Sequence, residues 1–192
     1  MKRERLAVLF PGIGYHCDKP LLYYSAKLAR EKGWQVLTVP YGGFPERVRG
    51  DVDKMKRCVE MACDQAEAML SEVRWTDYER LLFIGKSIGT LVGARYACQH
   101  DLKIYSLLLT PLEETFRFTR GEAAAFHGTA DPWADTAGIR SACRERGIPL
   151  YLTEGANHSL ETGNAIEDIR ILGKTLERAG EWMGRWTGEG NP

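Results

Sequence analysis

No charge of one sign dominates this 192-residue chain: 26 Lys and Arg balance 26 Asp and Glu, and neither sign forms a long run. That removes the electrostatic case for a nucleic-acid partner or an anionic membrane surface. Long apolar runs are missing too. The one that follows the basic start Met1-Lys2-Arg3-Glu4-Arg5 spans only Leu6 to Phe10 and stops at Pro11-Gly12. It is too short for a signal-peptide core or a membrane span, so a soluble, cytoplasmic protein is expected. Cysteine is sparse and unpatterned: Cys17, Cys58, Cys63, Cys98 and Cys143 are odd in number and form no Cys-x-x-Cys pair, and the four histidines do not cluster. Reduced structural thiols are expected, with no metal and no cofactor.

The hydrophobic share of 44% is enough for a proper core, and the length suits one α/β domain, residues 1–187, followed by a frayed tail over 188–192. Short apolar runs alternate with helical periodicity along the chain. Arg5 to Phe10, Gln35 to Val39, Leu81 to Ile84, Lys103 to Leu109, Glu122 to Phe126 and Pro149 to Thr153 read as strands. Between and after them, Lys19 to Lys32, Asp51 to Val73, Thr90 to Gln99, Asp135 to Arg146 and Asn164 to Trp186 read as helices, and Trp75 to Glu79 as a polar connector. Strands joined by crossover helices must run parallel, because a hairpin cannot connect parallel neighbours. The expected fold is therefore a three-layer α/β sandwich: a mostly parallel sheet of about six strands with helices on both faces. The predicted buried stripes are Val52, Met55, Val59, Ala62, Ala66, Met69 and Val73 on the second helix, and Ile169, Leu172, Leu176, Ala179, Met183 and Trp186 on the last.

The segment Gly85-Lys86-Ser87-Ile88-Gly89 stands between an apolar strand and a small-residue helix. Only neighbours without a Cβ leave room for so sharp a strand-to-helix reversal, which would lift the Ser87 hydroxyl above the sheet. The Ile88 N–H, a first-turn donor without a helical partner, would face an oxygen gaining negative charge there. The loop Gly12-Ile13-Gly14-Tyr15 leaves the first strand at the same end, and its Ile13 or Gly14 N–H is the candidate second donor. Gly12-x-Gly14 also opens like a dinucleotide fingerprint. The third glycine position is Cys17, however, and Val39-Pro40-Tyr41 offers no acidic residue for a ribose, so no nucleotide is expected.

A serine hydroxyl attacks an acyl carbon at neutral pH only if an imidazole takes its proton and a carboxylate orients that imidazole. Parallel strands end on one side, so Ser87, Asp131 and His158, each just beyond a strand, can converge although far apart in sequence. Asp135, Glu113 and Glu114 are the alternative acids. His16, His100 and His127 are the weaker bases by position. Tyr15, Tyr41, Phe44 and Trp133 lie on loops above the sheet and are candidates to wall a substrate pocket.

The elbow Gly85-Lys86-Ser87-Ile88-Gly89, the acid turn His127-Gly128-Thr129-Ala130-Asp131-Pro132 and the base turn Gly155-Ala156-Asn157-His158, in the order Ser, Asp, His, resemble the α/β-hydrolase superfamily. The chain is most similar to its small lidless members of the dienelactone-hydrolase type. The likeness covers nearly the whole chain. It departs at Pro11-Gly12, where many relatives carry His-Gly, and in the short Thr110–Gly121 segment, where a cap would be inserted. The resemblance implies a minimal fold without a cap. It also implies a serine hydrolase that cleaves a small-molecule carboxylic ester or thioester through an acyl-enzyme, with Ser87, His158 and Asp131 as triad and Ile88 and Ile13 as oxyanion donors. The rival reading is a non-catalytic binding or scaffold protein on the same fold.

Overall fold

The structure is a computed structural model and describes residues 4–48 and 50–188. Of the tail expected to fray, residues 189–192 lie outside the described ones.

Six strands form one sheet: β1 (Glu4–Phe10), β2 (Gln35–Thr38), β3 (Tyr78–Lys86), β4 (Ile104–Leu109), β5 (Ala123–Gly128) and β6 (Leu150–Thr153), in the order β2-β1-β3-β4-β5-β6. Every pairing is parallel. The helices are α1 (Pro20–Glu31), α2 (Val52–Leu70), α3 (Ile88–Gln99), α4 (Thr115–Phe118), α5 (Thr136–Glu145) and α6 (Ala165–Trp186), with a 3-10 turn at Trp75–Asp77. The chain steps from β1 outward to β2 and then works back through β3 to β6. Right-handed crossovers therefore send α1 to one face and the later connections to the other. On the first face α1 and α6 cover Ala7, Leu9, Leu82, Ile84, Leu107 and Leu109. On the second, α2 and α3 cover Leu6, Val8, Leu81 and Phe83, and α5 covers Leu108, Ala123 and Ala125.

Two stripes are buried as expected at Val59, Ala62 and Ala66 on α2 and at Ala179, Met183 and Trp186 on α6, but differ elsewhere. Along α2 the buried residues are Cys58, Val59, Ala62, Ala66 and Leu70, while Val52 (67% exposed) and Met69 face solvent. Along α6 they are Ile171, Thr175, Ala179, Gly180, Met183 and Trp186, and Ile169 is 65% exposed. Helical periodicity sets a spacing, but docking sets the phase. A Cβ at Gly180 would stand 3.1 Å from Leu28 Cδ2, so α6 closes on α1 along its smallest residues. The connector at 75–79 is less polar than expected, since Trp75 packs against the rings of Phe83 and Tyr96 (centroids 5.9 and 5.7 Å). The Thr110–Gly121 segment holds only the single helical turn α4 and no cap.

Candidate active site

β1 and β3 are neighbours whose following connections leave to opposite faces of the sheet, which opens a crevice at their carboxyl ends. Ser87 sits there, the only residue between the end of β3 and the start of α3. Its backbone is strained, with φ 57° and ψ −125°. Neighbouring backbone holds it in place: the Ser87 N–H donates to the Leu109 carbonyl (3.0 Å), and the Ser87 carbonyl accepts from the Thr90 N–H (3.0 Å) and Thr90 Oγ1 (2.7 Å). Both elbow glycines are required by space. A Cβ at Gly85 would lie 2.5 Å from Thr90 Cα, and one at Gly89 would strike the Phe10 carbonyl.

The loop after β1 folds over this turn. Gly12 and Tyr15 exchange backbone hydrogen bonds (3.1 and 3.2 Å), and a Cβ at Gly12 would stand 3.1 Å from Ser87 Cβ. Ile13 follows Gly12 directly in this turn. Among the described residues neither the Ile13 nor the Ile88 N–H has an acceptor. This tight turn closes at Tyr15 and α1 begins only at Pro20, so Gly12 and Gly14 do not open a helix as a dinucleotide-binding turn would.

The structure brings Ser87, His158 and Asp131 together. The Ser87 hydroxyl donates to His158 Nε2 (2.7 Å), and His158 Nδ1–H donates to Asp131 Oδ2 (2.7 Å). The second carboxylate oxygen accepts the Trp133 N–H (2.8 Å). The proton positions follow from the partners: a carboxylate only accepts, so Nδ1 carries the hydrogen. The Asp131 side chain is fully buried and that of His158 is 16% exposed. The two loops brace each other through Thr129 N–H to the Thr153 carbonyl and Ala130 N–H to the Ala156 carbonyl (2.9 Å each). Gly128 lets them approach, because a Cβ there would overlap the Ala156 carbonyl. The Asn157 side chain, accepting from the Ser159 N–H (2.7 Å) and Glu161 N–H (3.2 Å), shapes the turn that presents His158.

The other candidates lie elsewhere. Asp135 caps α5 by accepting the Gly138 N–H (2.8 Å), and the Glu113 carboxylate also lies against Gly138. Glu114 is exposed at the start of α4. His16 is on the surface near Asp18, and His100 bonds Glu67 (2.8 Å). Of the proposed pocket walls, Tyr15 and Tyr41 are buried packing residues. The Tyr15 hydroxyl accepts the Leu21 N–H and the Tyr41 hydroxyl donates to the Pro11 carbonyl, which anchors the loop bearing Ile13. Phe44 is half-buried against Tyr41, and the Trp133 ring is 5.7 Å from that of His158. Among the described residues no group of His, Cys, Asp and Glu is arranged to hold a metal ion, and no helix is long and apolar enough to cross a membrane.

No family model and no curated protein matches the sequence. Solved structures do match. A lidless α/β serine hydrolase from Xanthomonas campestris is 17% identical over 98% of this chain and 84% of its own, with a TM-score of 0.67. Est1E from Butyrivibrio proteoclasticus is 12% identical over 98% and 90%, with a TM-score of 0.72. The Pyrococcus furiosus esterase Pf2001 is 13% identical over 96% and 83%, with a TM-score of 0.64. The chain has the α/β-hydrolase fold.

Within this α/β-hydrolase fold the site's ionisable groups are shifted from their ordinary values. Burial pushes the His158 imidazolium down, the Asp131 hydrogen bond pushes it back up, the nearby Lys86 charge lowers it again, and the net result is below the ordinary value. Burial alone would raise Asp131, but the hydrogen bond and charge of His158, the Trp133 N–H and His127 outweigh it and hold the carboxyl below its ordinary range. Two further groups bear on Asp131: His127, weighed in the sequence only as a weaker base, and Lys86, given no role there. His127 is fully buried, with Nε2 3.0 Å from Thr136 Oγ1 and Nδ1 3.7 Å from Asp131 Oδ2. Lys86 is 1% exposed, and burial pulls its ammonium down to about 7 despite the attraction of Asp131. Its signal in the sequence was a charge closing the apolar run 81–85.

The low value of Lys86 has a consequence for stability. Between about 7 and the ordinary 10.5 the unfolded chain keeps the proton that the folded chain has lost, so this residue makes stability rise with pH across that window. Lys86→Met removes the buried charge while keeping the length. It is expected to raise stability at about pH 6 by an increment on the order of a few kcal/mol, and the melting temperature with it, and to lose that advantage toward the top of the window. Thermal unfolding at a series of pH values checks this.

Proposed function

We propose that the protein is a serine hydrolase that cleaves carboxylic esters or thioesters through an acyl-enzyme. The observation that carries the reading is the continuous hydrogen-bonded run from the Ser87 hydroxyl through His158 to Asp131, at the end of the sheet where two N–H groups stand unpaired. In this scheme His158 Nε2 takes the Ser87 proton as Oγ attacks the acyl carbon, and the Ile88 and Ile13 N–H groups hold the oxyanion. The tetrahedral adduct collapses, and His158 gives the proton to the departing alcohol or thiol. Water then attacks the acyl-enzyme with His158 as base, releasing the carboxylic acid and the Ser87 hydroxyl. Asp131 keeps Nδ1 protonated and stabilises the imidazolium throughout. Each oxyanion donor is worth about 3–4 kcal/mol of transition-state stabilisation. Because His158 must be neutral to accept the proton, and burial keeps its value below 6.5, activity extends into mildly acid solution and is lost as the imidazole is protonated below that value.

The short Thr110–Gly121 segment leaves the site without a cap, as in the lidless Xanthomonas enzyme. Est1E has been solved with ferulic acid bound, and Trp133 offers an aromatic surface beside His158, so aryl esters are the first substrates to try, with acyl-thioesters alongside. The test is labelling with a fluorophosphonate. Stoichiometric modification of the wild type, absent in Ser87→Ala, is the expected result; a folded wild-type protein that stays unlabelled overturns the reading in favour of a binding or scaffold role.

A further inference from the structure

One ionisable group in the crevice has no part in the acyl-transfer scheme. Lys86 closes β3, one residue before Ser87, on the face that carries Leu82 and Ile84. Its side chain is 1% exposed, with Nζ 5.0 Å from the centroid of the Tyr15 ring. Among the described residues no carboxylate lies within ion-pair distance of it. Leucine or methionine would serve the packing, so a buried amine here costs stability without a local ion pair to offset it, and such costs concentrate at functional sites.

Besides the Tyr15 ring, the charges interacting with Lys86 come from three loops: Lys19 from the one after β1, Asp131 from the one after β5, where His127 of β5 stands 3.7 Å from it, and His158 and Glu161 from the one after β6. Asp131 is common to both cations, since its carboxylate attracts Lys86 and is hydrogen-bonded to His158.

We propose that Lys86 is a positioning residue for the triad, whose ammonium offsets the field of Asp131 at His158 and whose deprotonation restores that field to the imidazolium of the transition state. The proposal rests on the hydrolase reading of the same site. While Lys86 is charged, its repulsion keeps His158 neutral in the resting enzyme, but the same repulsion opposes the imidazolium that forms as Ser87 gives up its proton. When Lys86 releases its proton to solvent, Asp131 acts on His158 alone and the imidazolium is favoured. The rate therefore climbs twice as pH rises, first when His158 becomes neutral and again when Lys86 does. Burial places the second step near neutrality, at about 7.

The experiment compares wild type, Lys86→Met and Lys86→Arg. The rate of fluorophosphonate labelling is followed from mildly acid to alkaline pH, and the His158 ring is titrated by NMR in the same samples. The wild type is expected to give two ascending limbs. Lys86→Met keeps one, with the His158 midpoint moved to higher pH because the repelling charge is gone. Lys86→Arg keeps the low His158 midpoint and loses the neutral-pH limb. A Lys86→Met protein with two limbs and an unmoved His158 midpoint overturns the proposal, whatever its melting temperature does, because a gain in stability alone is expected of any buried amine replaced by an apolar chain. Absence of labelling in the wild type at every pH sinks the hydrolase reading instead, and the His158 titration then still decides whether Lys86 acts on it.

Discussion

Asp131→Asn is expected to lower kcat about 10⁴-fold while the protein stays folded. The carboxylate serves two donors at once, the Trp133 N–H on one oxygen and His158 Nδ1–H on the other. An amide has one accepting oxygen. If that oxygen keeps the Trp133 N–H, the amide NH2 faces Nδ1 and forces it to be the acceptor. The ring hydrogen then moves to Nε2 and points at Ser87 Oγ, 2.7 Å away, where a lone pair is needed. Geometry survives and the tautomer is wrong. Loss of the negative charge also removes what stabilises the imidazolium. Steady-state hydrolysis of an aryl ester, with thermal unfolding as the control for folding and nitrogen NMR of the ring for the tautomer, checks the expectation. A variant within tenfold of wild type would mean that Asp131 does not orient the base.

The second large effect is steric and independent of any activity. A Cβ at Gly89 would overlap the Phe10 carbonyl and come within 2.6 Å of the Phe10 carbonyl carbon and the Pro11 oxygen. All three are backbone atoms, so no side-chain rotation relieves the contact. β1 and α3 would have to part at the point where the loop after β1 meets the elbow. Gly89→Ala is therefore expected to cost about 3 kcal/mol or more, a fall of roughly 6–12 °C in melting temperature for a chain of this size. Gly173, in the middle of α6 with open space around it, is the control: alanine there is expected to be neutral or to stabilise by about 0.5–1 kcal/mol through helix propensity. Differential scanning calorimetry of the two variants separates a close-approach requirement from a general intolerance of glycine replacement.

Several features of this molecule are local and so could be read without coordinates. An apolar run closing on a glycine, a helical repeat, or a serine flanked by glycines depends on neighbours a few residues away, and strand ends follow from where such runs stop. That places Ser87, Asp131 and His158 each at a carboxyl end of a parallel strand and makes their meeting an expectation. Phase is different. Val52, Met69 and Ile169 have the spacing of a buried stripe yet face solvent, because which edge of a helix turns inward is decided by the partner it docks on, as Gly180 against Leu28 illustrates.

The pocket walls show the same divide. Tyr15 and Tyr41 stand on site loops in the sequence, but their hydroxyls are tied to the Leu21 N–H and the Pro11 carbonyl, a choice made by segments distant in the chain. The sequence by itself determined the order of elements, the parallel sheet and the three strand-end residues, because each rests on short-range pattern and on the stiffness of strands and crossover helices. Only the tertiary structure decided the strand order β2-β1-β3-β4-β5-β6, the 2.7 Å spacings at His158, the burial of Lys86 and the burial of His127 beside Asp131. Those depend on how separate loops close over one sheet edge, and electrostatic coupling between charges exists only once the chain has brought them together and excluded water from between them.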